Sequence, residues 1–96
     1  MFTWDARKAL QNLRKHRVSF EEAATVFADS EALDWEDTEH SEFEKRSKRL
    51  GKSFRERALL VVYTVRRLKN EKETVRIISA RQASRKERKA YAGQPD

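Results

Sequence analysis

Cysteine is absent from the 96 residues, proline occurs once, and glycine is found only at positions 51 and 93. Without cysteine no disulfide staples the chain, which suits a reducing compartment and makes the cytoplasm the expected location. Two isolated glycines exclude the glycine-rich loops that cradle nucleotide phosphates, so no nucleotide cofactor is expected. A structural zinc site lacks its thiolates, and His16 and His40 stand too far apart in sequence to suggest a shared metal. The acidic stretch from Asp34 to Glu44 has carboxylates enough for a hard cation, but neither the turning glycine nor the oxygen spacing of a calcium loop. The longest purely apolar run, ALLVVY at 58–63, is far short of a membrane span, and the opening MFTWDARKALQNLRK lacks the apolar core of a signal peptide. No membrane partner is expected.

What the chain has is charge, and the charge is unevenly placed. Of its residues 40% are charged and 38% apolar, enough for one domain over 1–96 with a thin core. Residues 1–20 hold five bases and one acid, residues 21–44 hold ten acids and no base, and residues 45–96 hold seventeen bases and five acids. Segment net charges of +4, −10 and +12 make up the overall +6. A basic surface from the second half suits a polyanion, and the acidic segment suits contacts with a protein partner.

After an extended start, Ala6, Ala9, Leu10 and Leu13 recur at helical spacing and predict a helix over about 5–15, with Asp5 at its N-terminus. Ser19 and Glu22 form a capping-box pattern ahead of Phe20, Ala23, Ala24 and Phe27, spaced for a second helix. From about residue 33 the period changes to two, in Leu33 and Trp35, and Phe43–Lys52 is expected as an outer strand. Arg57–Arg66 is apolar on both pleat faces and predicts a central strand. A polar hairpin loop over Arg67–Lys72 then leads to a partner strand over Thr74–Ala80. Ser84 and Glu87 repeat the capping pattern ahead of a short basic helix, with Gly93 and Pro95 as stop signals. The expected fold is α+β: a small antiparallel sheet of three to four strands with two N-terminal helices and a short C-terminal helix. Trp4, Phe20, Phe27, Tyr63, Ile77 and Ile78 are expected in the core.

The remaining Arg, Lys, His, Glu and Tyr side chains suffice for one reaction without a metal: cleavage of RNA by its own 2′-hydroxyl. A base takes the 2′ proton, fixed cations stabilise the five-coordinate phosphate, and an acid protonates the leaving 5′-oxygen. Arg66 and Arg81 end the two most apolar strands, where a rigid scaffold aims a side chain well. Glu44 and Arg46 share a pleat face if Phe43–Lys52 is a strand; the plain alternative is a surface ion pair. Lys15 and His16 sit at a helix end, where cations are favoured whether or not they do chemistry. Glu87, Arg88 and Tyr91 share a helix face, and Tyr91 stacks on a base, donates a proton, or packs the last helix on the sheet. The expected catalytic set is Glu44, Arg46, Arg66, Arg81 and His16, with Glu44 or His16 moving the proton; Lys15, Lys48, Arg88 and Tyr91 are expected on RNA.

The strings WDARKALQNLRKH (4–16), VSFEEAATVFAD (18–29), HSEFEKR (40–46), LLVVYTVR (59–66), RIISARQAS (76–84) and ERKAY (87–91) resemble the BrnT family. Glu44 and Arg46 match its E-x-R pattern. The resemblance implies a RelE-like fold and a ribonuclease toxin of a bacterial type II toxin-antitoxin module. It also implies that the toxin suppresses translation until a BrnA-like antitoxin covers it, operator DNA being bound only through that antitoxin. Three glycines common in the family are missing: one position is Arg17, and the turns after Ser53 and after Arg66 also lack theirs. A left-handed helix end at Arg17 costs more than at glycine. The rival readings are a nucleic-acid-binding module without catalysis, for which charge alone suffices, and an interaction subunit that binds protein through its acidic segment.

Overall fold

The computed structural model describes residues 1–93. Its centre is the strand apolar on both sides, β4 (Ala58–Arg67), hydrogen-bonded to β3 (Ser47–Lys52) on one edge and to β5 (Glu73–Gln82) on the other, both antiparallel. Outside them lie β2 (Leu33–Glu36), antiparallel to β3, and β1 (Phe2–Thr3), parallel to β5. The sheet order is β1-β5-β4-β3-β2. The α+β class is as expected, but the sheet has five strands rather than three to four and is mixed rather than wholly antiparallel. The extended start of the chain is itself an edge strand: Val75 N–H donates to Met1 O at 2.9 Å.

The segment Phe43–Lys52 is not an outer strand. It pairs only from Ser47, and β2 lies outside it. Asp37 N–H donates to Arg46 O (2.8 Å), closing residues 37–46 into a loop, and Phe43 within that loop is 96% exposed. The Ser41 hydroxyl donates to Asp37 O (2.6 Å) and accepts from Arg46 N (3.0 Å), and Thr64 Oγ1 fastens the loop to β4 through Lys45 O (2.9 Å).

One face of the sheet is covered by α1 (Ala6–His16) and α2 (Phe20–Thr25), the latter running into a 3-10 turn over Val26–Ala28. Phe20, Ala23, Val26, Leu59, Val61, Ile77 and Ala80 close the main core there. Full burial of a side chain the size of Phe20 or Leu59 contributes roughly 1.5–3 kcal/mol. Trp4 and Phe27 pack half-buried against this core, and Tyr63 is buried in contact with the Phe27 ring, centroids 4.9 Å apart.

Helix α1 turns differently from its leucine spacing. Leu10 and Leu13 are exposed, while Asn12 is buried. The Asn12 side chain donates to Val18 O and Ala80 O (2.9 and 2.8 Å) and accepts from Ala80 N (3.1 Å), completing the β5 edge beyond the short β1. A buried strand edge must find such partners, so a polar residue holds the place the leucines were expected to take.

The Ser19 cap is half a capping box. Ser19 accepts from Glu22 N (3.0 Å), but the Glu22 carboxylate turns to Arg57 and Ser53. The Ser84 box is complete and starts α3 (Arg85–Tyr91). Gly93 follows that helix at φ 76° as expected, and Pro95 lies outside the described residues.

Candidate functional site

The second face of the sheet is covered only at its ends. At one end α3 packs Tyr91 against Leu50, Leu60 and Ala83; at the other lies the loop 37–46. Between them runs a cleft of about 300 Å³. Its floor follows from the pairing register, in which Lys48 stands opposite Val62 and Val62 opposite Ser79, while Leu60 stands opposite Arg81. Paired residues in a sheet point to the same side, so Lys48 and Arg81 flank an apolar strip of Leu60 and Val62. The register slips by one between Val62 and Tyr63, leaving Ile78 of β5 without an opposite number. That slip keeps Ile77 and Ala80 in the main core and brings Ile78 to the cleft, so Ile78 is not a core residue as expected. Asp37, His40 and Arg46 of the loop form the remaining wall.

Three of the expected residues, Arg46, Lys48 and Arg81, thus meet in one place, two from the β2–β3 side and one from the end of β5. Arg81 is held by a two-pronged ion pair with Glu87 of α3, Nη1 to Oε1 at 2.8 Å and Nη2 to Oε2 at 2.9 Å. The guanidinium, foremost, holds the Glu87 carboxyl down to about 2. Counting one further bond to Gln82 O, three of the five Arg81 donors are engaged, which leaves two for a phosphate. The side chains of Arg46 and Lys48 form no hydrogen bond or ion pair among the described residues.

Glu44 does not share a pleat face with Arg46, because both precede β3. Its carboxylate instead pairs with Arg66, Oε1 to Nε at 3.0 Å, and that hydrogen bond foremost lowers the carboxyl's pKa and raises that of the guanidinium. Glu44 still lines, with His40 and Arg46, a shallow pocket next to the cleft. Arg66 belongs to neither. Lys15 and His16 line a separate groove beside α1, which shares Ile78 and Ser79 with the cleft.

Arg88 and Tyr91 lie away from the cleft. Arg88 Nη1 donates to Ala83 O (2.8 Å), and Tyr91 Oη donates to Asp29 Oδ2 (2.6 Å), tying α3 to the turn before β2. That carboxylate, above all, pushes the Tyr91 hydroxyl up to about 12.

Sequence reasoning considered His40 only as a metal ligand and missed Asp37. The signal for them was His40 heading the segment HSEFEKR, three residues from an aspartate. Among the described residues no three His, Asp or Glu side chains gather as a metal site would require, and no helix is long and apolar enough to cross a membrane.

Comparisons with known proteins follow the same lines. The family model described as "Ribonuclease toxin, BrnT, of type II toxin-antitoxin system" matches residues 4–87. The chain is similar in fold to the crystal structure of the Brucella abortus ribonuclease toxin BrnT, at 20% identity and a TM-score of 0.61, covering 88% of this chain and 99% of that one. No curated protein matches in sequence.

Proposed function

The chain belongs to the BrnT family of ribonuclease toxins of type II toxin-antitoxin systems, and from that premise we propose a single-domain, cytoplasmic endoribonuclease that cuts RNA without a metal, through the substrate's own 2′-hydroxyl. The observation that carries this reading is the cleft where Arg46, Lys48 and Arg81 surround an apolar floor. A phosphate entering it meets two cations not committed to protein partners and one guanidinium already oriented by Glu87. Preset positive charge of this kind favours the extra negative charge of a five-coordinate phosphate over the ground state. The floor of Leu60, Val62 and Ile78 offers apolar contact to a base or ribose. Arg66 with Glu44, and Lys15 with His16, flank the cleft as further RNA contacts; Arg88 and Tyr91 support α3 rather than the substrate.

The partner in this reading is a BrnA-like antitoxin that covers the toxin, prevents its inhibition of translation, and alone contacts operator DNA. Strand β2 suits it: its outer edge is unpaired in the sheet, and Leu33 and Trp35 stand exposed beside Asp34 and Glu36. An exposed, acidic edge strand favours a basic partner segment that adds to the sheet.

The test incubates the purified chain with a defined RNA in excess EDTA, with and without the antitoxin. Fragments ending in 2′,3′-cyclic phosphate, suppressed by the antitoxin, are expected. Salt-sensitive binding with intact RNA, also in a translation extract, would favour a binding module instead.

A further inference from the structure

The expected proton-transfer groups, Glu44 and His16, are not in the cleft with the cations. Glu44 is engaged by Arg66, which makes its carboxylate a weaker base, and His16 lies in the groove beside α1. The cleft has a histidine of its own. His40 Nδ1 lies 3.2 and 3.1 Å from the two oxygens of Asp37, whose side chain is 5% exposed, while the imidazole is 59% exposed. A carboxylate only accepts hydrogen bonds, so Nδ1 carries the hydrogen and Nε2 is left with a free lone pair. His40 also lines both the cleft and the pocket next to it.

We infer that His40 is the general base of the reaction and Asp37 the residue that positions it. The inference rests on the ribonuclease reading above. His40 Nε2 takes the proton from the ribose 2′-hydroxyl, and the 2′-oxygen forms a bond to phosphorus. The bond from phosphorus to the 5′-oxygen breaks, and that oxygen leaves with a proton from water. The products are a 2′,3′-cyclic phosphate and a 5′-hydroxyl. The imidazolium forms beside the Asp37 carboxylate, which stabilises it, and then returns its proton to water.

The loop is built to hold this pair still. Asp37 N–H is bonded to Arg46 O, His40 N–H donates to Asp37 O at 3.2 Å, and Ser41 links Asp37 to Arg46. The same few bonds therefore place the base and one of the phosphate-binding cations together. Such shared support keeps reacting groups within the narrow tolerance catalysis needs.

The experiment follows single-turnover cleavage of an oligonucleotide carrying one ribonucleotide, in EDTA, and the binding of its all-2′-deoxy counterpart. His40→Ala is expected to slow cleavage at least about 100-fold, to bind the deoxy strand as the wild type does, and to regain part of its rate with added imidazole. The acid limb of the wild-type pH profile should vanish in His40→Ala. In Asp37→Asn the rate should fall at least about 10-fold, with binding of the deoxy strand unchanged. Besides Asp37, the charged groups facing the imidazole are Arg46, Lys48 and Arg81 in the cleft and Glu39, Glu42 and Glu44 in the pocket beside it. They remain in both variants. Circular dichroism checks folding, and His40→Gln serves if the alanine variant is unfolded.

A His40 variant that cleaves at the wild-type rate, while Arg46→Ala does not, overturns the inference and leaves the ribonuclease reading standing. Parallel loss of cleavage and deoxy-strand binding also overturns it, since His40 would then hold RNA rather than move a proton. A wild-type chain that cuts no RNA, even with ribosomes, overturns the functional reading and this inference with it.

Discussion

The two faces of the sheet are made from the same five strands and treat charge in opposite ways. On the helix-covered face the two half-buried arginines are tied down. Arg57 donates to Glu22 from Nε (2.9 Å) and Nη2, and Arg49 bonds Asp34, Val26 O and Asp29 O while lying over the Phe27 ring. On the other face the loop 37–46 and α3 stop short of each other, and among the described residues the side chains of Arg46 and Lys48 in the gap form no hydrogen bond or ion pair. The difference teaches that the residue type alone does not mark function. Enclosed arginines hold the turn and helix to the sheet, whereas those left with spare donors over an open floor are available to a phosphate.

The largest effect that separates the faces is on cleavage. Arg46→Ala combined with Lys48→Ala is expected to slow RNA cleavage about 1,000-fold and to change unfolding free energy by no more than about 0.5 kcal/mol. Assay and urea titration on one preparation would show it. The mirror-image change is Glu22→Gln, which leaves the half-buried Arg57 guanidinium without its carboxylate. We expect a loss of about 3 kcal/mol in stability with no change in rate per folded molecule. A slowed rate there would blur the division between the faces.

A smaller effect is set by pH. The Glu87 carboxyl titrates at about 2 when folded against an ordinary 4.5, because Arg81 grips it. The folded pKa is depressed, so the stabilisation is complete above about pH 4.5 and is lost as pH falls toward 2. At this partly exposed pair it amounts to about 1 kcal/mol, and Glu87→Gln should flatten that part of the stability profile. The smallest effect is a gain. Arg17 sits at φ 59°, and Arg17→Gly should raise stability by up to about 1 kcal/mol in thermal unfolding.

Arg17 also shows what was legible in the sequence. The helix end at Arg17 and the turns after Ser53 and after Arg66, where the resemblance led glycine to be expected, each hold one residue in left-handed backbone, Arg17, Glu56 and Glu71. The caps at Ser19 and Ser84, the central strand and its hairpin were readable because their signals are local. Asn12 was not: its value comes from a strand edge 68 residues away. The same holds for the site. Arg46, Lys48 and Arg81 were legible as cations in the basic half, but their gathering depends on register. Glu44 was paired with the wrong neighbour because the strand expected to carry it begins three residues later, at Ser47. His40 was passed over because the aspartate three residues before it counts as a partner only once the fold buries it against the ring.

The most direct test of the account is to record which residues respond when the uncleavable 2′-deoxy oligonucleotide binds, by backbone amide NMR shifts at moderate salt. The account predicts that the largest shifts fall at His40, Arg46, Lys48 and Arg81, with the opposite face, around Arg49 and Arg57, unchanged. Shifts centred on the helix-covered face, with the cleft silent, would contradict it.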